Sequence, residues 1–502
     1  MPLTFFQIFP AFPIHNINVV RLLRLNGPLI VVLSSLLNVG CSAVGPDYVA
    51  PQLTPPIQWN GDIGSQINSN PLDPEALNQW WTTLKDPLLT SLIDRAITGS
   101  LSLQDAEAKV REARARRGIS DANRFPTVNA SGSVTRNRVS ENGFYKGTSY
   151  AGATSTIYNG GFDAGWEIDL FGRTQRQIEG AQANLEASEE NYRDVLVTLL
   201  AEVALNYLEV CTQQSRLSVA QESRDSQANI VELVRSSVEV GETSRLDLEQ
   251  ALANLETTRS GIPLLEIALA QAKNRLAVLL GLPPGALNDE LVEHHAIPLA
   301  PAQVAVGVPA EVLRRRPDIR RAERILAAAT AKIGVATADL YPSFTLYGSV
   351  GLESLSSGDF LTSASRIFGI GPSLQWNLFD SGRIQNNIAI SNTQQEQAFI
   401  AYRAAVLRAL QDVENSIIAY GQEMVRRQAL IDGEQSARRA LTIAEDQYKA
   451  GETDFIRVLD SQRSLLNLQD QLASSDGQVT ANVIRLFKAL GGGWTPLEPE
   501  LL

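Results

Sequence analysis

The chain has 502 residues, a formal net charge of −12 and 20% charged residues. An acidic balance of this size disfavours nucleic acid as a partner. Cys41 and Cys211 are the only cysteines, which excludes a disulfide framework, and the length allows two or three domains.

Residues 1–40 read as a signal peptide. Arg21 and Arg24 precede an apolar run from Leu29 to Leu37 that is too short to span a bilayer as a helix. The run ends in Leu37-Asn38-Val39-Gly40-Cys41, a small residue followed by cysteine. This resembles the bacterial lipobox, so Cys41 is the expected lipidation site, and Ser42 after it suits sorting to the outer membrane. Cys211 then remains as the lone thiol, a small buried filler of a long helix. Residues 41–86 carry Pro46, Pro51, Pro55, Pro56, Pro71 and Pro74 and read as an extended tether between lipid and body.

A first repeat is expected over 87–282. Helical pattern begins at Pro87, a good first-turn residue, and runs to about Asn123. Two strands follow within 126–172. Val128, Ala130, Gly132 and Val134 alternate with Asn129, Ser131, Ser133 and Thr135; Phe162, Ala164, Trp166 and Ile168 alternate with Asp163, Gly165, Glu167 and Asp169. From Arg173 the pattern is helical again and holds no proline as far as Ile262. As helix, the stretch to Val240 would span roughly 100 Å. Tyr192, Leu196, Leu199, Val203, Asn206, Val210, Gln213, Leu217 and Ala220 recur at alternating spacings of four and three. That is the narrow seam of a coiled coil, with two wet flanks. Gly241-Glu242-Thr243 breaks it and predicts a hairpin tip.

Residues 283–317 are proline-rich and loop-like. They end in Leu313-Arg314-Arg315-Arg316-Pro317-Asp318-Ile319-Arg320, which on its own reads as a solvated helix start. A second repeat occupies 318–490, with strands over 342–382 and a tip at Gly451-Glu452-Thr453, and a short tail covers 491–502. Gly172-Arg173, Tyr192-Arg193 and Gly241-Glu242-Thr243 recur 210 positions later at Gly382, Tyr402 and Gly451. Upstream, Gly118 and Pro126 recur 216 positions later at Gly334 and Pro342. One register held across several motifs defines a duplicated unit of helix, two strands, long helix, turn and helix. The change of offset predicts a longer loop between the strands of the first copy.

Each of the four strands is about ten residues long with one apolar and one polar face, as a membrane β-strand requires. Four strands cannot close a barrel, and open edges are intolerable in lipid. A membrane reading therefore demands an oligomer; the plainer alternative is a half-buried sheet in water. No nucleophile elbow, phosphate loop or metal-ligand cluster is apparent, and the adjacent His294 and His295 lack partners of the right type. Neither an enzyme nor a cofactor beyond the lipid on Cys41 is expected.

Gly45-Pro46-Asp47-Tyr48, the Leu313–Arg320 run, the two Gly-Glu-Thr tips and Ala489-Leu490-Gly491-Gly492-Gly493-Trp494 together resemble the outer-membrane efflux proteins of the TolC/OprM/NodT type. The resemblance implies a mainly α fold with a membrane β-barrel portion. It implies a homotrimer with twelve strands in the outer membrane of a Gram-negative bacterium and twelve helices forming a periplasmic α-barrel. It further implies a periplasmic adaptor docking at Gly241, Glu242, Gly451 and Glu452, an inner-membrane RND-type pump, and passive exit of small molecules. A periplasmic gate is implied at Asp247, Tyr448, Ile456, Asp460 and Arg463. Without the resemblance, Asp460 and Arg463 are only an i,i+3 surface pair. Asp163, Glu167 and Asp169 are expected to line the barrel lumen and favour cations. The rivals are a type I protein-secretion duct and a coiled-coil scaffold with no pore.

Overall fold

The structure is a computed structural model that describes residues 43–52, 56–60, 67–68, 74–300 and 304–494. The expected signal peptide, Cys41 and the tail beyond Trp494 lie outside the described residues. The first repeat comprises α1 (Pro87–Gly99), α2 (Leu101–Ala122), β1 (Thr127–Arg138), β2 (Thr154–Ile168), α3 (Arg173–Glu239) and α4 (Arg245–Leu279). The second comprises α5 (Pro317–Ala338), β3 (Ser343–Ser354), β4 (Arg366–Gln375), α6 (Arg383–Lys449) and α7 (Phe455–Ala489).

The duplication is visible element by element. Helices α3 and α6 each have 67 residues, α4 and α7 each 35, and α2 and α5 each 22. At 1.5 Å per residue the longest pair are rods of about 100 Å. Strands β1 and β3 match at 12 residues, but β2 has 15 against 10 for β4. The extra length of the first copy thus lies partly in a longer strand, not wholly in the 139–153 loop as expected.

The helix expected from Pro87 to Asn123 is two. Ser100 is extended (φ −64°, ψ 124°) and ends α1, whose N-terminus is capped by Asp86 accepting from the Leu89 amide at 2.9 Å. Gly99-Ser100 is the breaker signal in the sequence. The segment before α1 also differs from a free tether. Trp59, Leu77, Trp80, Trp81 and Leu84 are buried, and Trp80 stacks on Phe487 of α7 with centroids 5.5 Å apart.

These aromatics belong to the largest core, which joins α1 to the middle of α3 (Leu199–Cys211), the end of α4 (Leu276), α6 (Ile417, Tyr420) and α7 (Ile484, Leu486). Here α3 is buried on most of its circumference rather than along a thin seam, because residues 77–103, 287–300 and 304–312 pack around it. This belt is the equatorial body of the molecule. A second, smaller core lies near the tips and takes Val231 and Val234 from α3, Leu255 from α4, Ala444 from α6, and Phe455, Val458 and Leu459 from α7. The two hairpins of one chain therefore pack on each other at that end.

The four repeat strands form one antiparallel sheet in the order β1-β2-β3-β4, with β1 and β4 at open edges, and Ile67–Asn68 pairs separately, in parallel, with Val304–Ala305. Register places Ala130, Phe162, Val350 and Phe368 in one cross-strand row, and Val128, Ala164, Gly348 and Ile370 in the next. Opposed residues share a face, so this face is apolar across all four strands. Asn129, Asp163, Ser349 and Gly369 form a row on the other face. Phe368 is 86% exposed and Ile370 79%. Each such side chain held in water forfeits roughly 1.5–3 kcal/mol of burial, so the face is built for lipid.

Candidate functional site

The two tips are built alike up to their last turn. Helix α3 ends in a glycine-centred cap: the Gly241 amide donates to Val238 O (3.1 Å) and the Glu242 amide to Ser237 O (2.9 Å). At the second tip, Gly451 donates to Tyr448 O (3.0 Å) and Glu452 to Gln447 O (2.9 Å). Gly241 and Gly451 have φ of +83° and +72°, the left-handed geometry this cap demands. Both glycines and both glutamates are exposed.

Beyond the glycine the tips differ. Ser244 caps α4 in a reciprocal box with Asp247: its hydroxyl accepts from the Asp247 amide at 3.2 Å, and the Asp247 carboxylate accepts from the Ser244 amide at 3.4 Å. Asp454, at the matching position of α7, makes no side-chain cap. Asp247 also accepts from the Thr243 hydroxyl at 2.7 Å, and Thr243 Oγ1 lies 3.3 Å from the Tyr448 hydroxyl. Tyr448 thus reaches the acid at the first tip through Thr243. Arg463 directs its Nε to Asn254 Oδ1 of α4 at 2.8 Å, whereas its ion pair with Asp460 is a loose 4.0 Å. Ile456, Asp460 and Arg463 share one exposed stripe of α7 that flanks the tip core.

On the polar face of the sheet, Asp163 accepts from Asn129 at 3.2 Å, and Glu167 lies opposite Thr345. Asp169 departs from the expected lumen row. It lies past the end of β2, and its carboxylate accepts from the Gln175 amide at 2.8 Å, so it caps the start of α3. Glu353, which accepts from Asn159 at 3.3 Å, takes a place in the polar row instead. Carrying the period-two pattern of β3 one residue further would have found it.

The basic run also departs from its solvated reading. Pro317 and Asp318 do open α5 as expected, but the arginines bolt the fold together. Arg316 is buried and binds Ala489 O (3.0 Å), Asp318 (2.8 Å) and Asp412 (3.0 Å). Burial opposes its charge, but the two carboxylates outweigh it and leave its pKa above the usual value. Arg315 binds Asn78, and Arg320 pairs with buried Glu190 at 2.8 Å. Arg193, Arg315 and Arg320 surround the Trp494 ring at 5.0, 5.9 and 5.4 Å. The run and the Gly491–Trp494 motif are two halves of one joint.

The Gly45–Tyr48 motif has its own socket at the junction of sheet and helices. Buried Arg176 of α3 donates to the carbonyls of Ala43 (3.3 Å), Val44 (3.1 Å) and Gly45 (3.2 Å) and to Asp47 (2.7 Å). The Val44 amide donates to Phe171 O at 3.0 Å, and the Tyr48 hydroxyl to Glu323 at 3.0 Å. Gly334 of α5 leaves the space: a Cβ there would sit 2.8 Å from Val44 O and 2.7 Å from Arg176 Cγ.

A sheet that is apolar on one face and polar on the other, running into rods of about 100 Å, defines an outer-membrane channel with a helical extension. A profile of the family described as outer membrane efflux protein matches residues 92–282 and 308–492. The chain is 30% identical over 470 residues to nodulation protein T of Rhizobium leguminosarum bv. trifolii, covering 92% of this chain and 97% of that one. It is 31% identical over 463 residues to the probable outer membrane lipoprotein SilC of Salmonella typhimurium, covering 91% and 96%. The solved outer-membrane channel OprN superposes with a TM-score of 0.84 at 32% identity, over 90% of this chain and 100% of that one. The chain belongs to the outer membrane efflux protein family.

Proposed function

We propose that three copies of this chain close a twelve-stranded barrel and a twelve-helix periplasmic tunnel, which together form the passive exit duct of a tripartite efflux system. The observation that carries this reading is the four-stranded sheet, with one apolar face and unpaired edges at β1 and β4. Lipid offers no hydrogen bonds to such edges, so only neighbouring copies can satisfy them. The lumen then carries Asp163, Glu167 and Glu353 from each copy and favours cations. A periplasmic adaptor docks at Gly241, Glu242, Gly451 and Glu452, and an inner-membrane pump of the RND class supplies the energy. The stripe of Ile456, Asp460 and Arg463 narrows the periplasmic end, and an acyl group on Cys41 adds a membrane anchor. The duct itself performs no catalytic step.

Planar-bilayer recording of the purified protein, with unheated and heated electrophoresis beside it, is the test. Expected are a heat-sensitive trimer and small cation-selective steps that grow in Asp460→Ala/Arg463→Ala. A folded protein that stays monomeric and soluble without detergent, with no steps, would instead be a scaffold.

A further inference from the structure

The loop between β3 and β4 carries a feature that the duct reading does not use. It leaves the sheet at the end remote from the helices, just past the last β2–β3 pair, Tyr158 opposite Ser354. The loop is internally braced: the Thr362 and Ser365 hydroxyls both donate to Asp359 O at 2.7 Å, and the Ser356 amide donates to Ser354 Oγ at 3.1 Å. This bracing turns Phe360 back over the sheet. Its Cζ lies 3.1 Å from where a Gly160 Cβ would stand, and its ring centroid is 6.4 Å from that of Tyr158.

Which face Phe360 covers follows from register. Tyr158, Gly160, Phe162 and Ala164 lie on one side of β2, and Gly160 pairs with Leu352 of β3. Phe360 therefore lies on the apolar face, not over the polar row of Asn159 and Glu353. Strands β2 and β3 are the inner pair of the sheet, so copies joining at its edges leave this patch uncovered. In the same loop, Leu361 is 82% exposed and Leu355 71%.

We propose that residues 355–362 are a membrane-interface foot, resting Phe360, Leu361 and Leu355 in the lipid surface at the outer end of the barrel. The patch is continuous with the lipid-facing side of the sheet, and an aromatic ring at the end of that band suits the boundary between chain and headgroup. The inference rests on the reading that the sheet's apolar face meets lipid.

The test uses the full-length channel in vesicles of phosphatidylcholine and phosphatidylglycerol, with the parent protein taken through the same labelling as blank. An environment-sensitive fluorophore is placed on Leu361→Cys, on Phe368→Cys of the apolar face, and on Asn142→Cys of the exposed β1–β2 loop. Expected is loss of the Leu361 signal to a headgroup nitroxide with protection from iodide, and the reverse at Asn142. Phe368 should lose its signal to an acyl-chain nitroxide. Phe360→Ala should restore iodide access at Leu361. If Leu361 behaves like Asn142 while Phe368 remains lipid-quenched, the foot is overturned and the barrel reading stands. If Phe368 is also open to iodide, the lipid-facing reading fails and the foot with it.

Discussion

The hydroxyl of Tyr448 lies 3.3 Å from that of Thr243, so the two hairpin tips of one chain are latched by side chains from opposite repeats. Thr243 has one proton and gives it to Asp247 at 2.7 Å; Tyr448 must therefore be the donor across the latch. Tyr448→Phe removes that donor and keeps the ring on Phe455, 5.2 Å away. The latch should weaken by about 1 kcal/mol, seen as more frequent open steps in single-channel records with no change in melting of the equatorial body. An unchanged open probability would remove the latch from the gating account.

Arg463 offers a second, separable tie. Its bond to Asn254 joins α7 to α4, whereas its pair with Asp460 is solvent-exposed and 4.0 Å long. Asp460→Ala alone should cost the tip no more than about 1 kcal/mol. Asn254→Ala should loosen the tip nearly as much as Arg463→Ala, because each breaks the same bond between α7 and α4. Hydrogen exchange over 250–258 and 458–466 in the three variants would decide it; equal effects of Asp460→Ala and Asn254→Ala would contradict this ranking.

The socket around residues 43–48 gives a clean test because Gly334 is an ordinary helical residue. Gly334→Leu improves local helix propensity by nearly 1 kcal/mol, yet its side chain must displace Val44 and Arg176. Chymotrypsin should then cut after Tyr48 in the variant and spare the parent, while the equatorial core melts as before. Arg176→Ala should act in the same direction, by roughly 1–3 kcal/mol, since it leaves three part-buried carbonyls without their donor. Equal cleavage in all three proteins would show that the segment is not held there.

Cys211 should be inert in the folded chain. Burial penalises the thiolate and pushes the thiol up to about 12 from an ordinary 9.0. The folded state thus holds this proton more tightly than the unfolded one. Its stabilising contribution is complete below pH 9 and is lost as pH climbs towards 12. A maleimide should leave Cys211 unlabelled in the native protein at pH 8. In denaturant it should label one thiol if Cys41 is acylated, and two if it is not.

The rods, tips and strand faces were legible in the sequence because each depends on local periodicity. Val128–Val134 and Phe344–Leu352 alternate whatever else the chain does, and Gly241 and Gly451 end their helices by backbone geometry alone. Roles set by distant partners were not legible. Arg316 looks solvated until Asp412 and the carbonyl of Ala489 arrive from 96 and 173 residues away. Asp169 continues the alternation of β2, but the nearby start of α3 claims its carboxylate. Trp80 and Trp81 stand in a proline-rich stretch that resembles a tether, and only the packing of α7 against it makes that stretch part of the core.

The missing side-chain cap on α7 has a dynamic consequence. A serine cap with its reciprocal acid is worth about 1 kcal/mol to the first turn of a helix, and α4 has one while α7 does not. The two rods are equal in length but not in their readiness to fray. In an assembly of such chains, loose and tight turns would alternate round the rim. Amides in the first turn of α7 should exchange faster than those of α4, and any widening of the mouth would begin at every second hairpin.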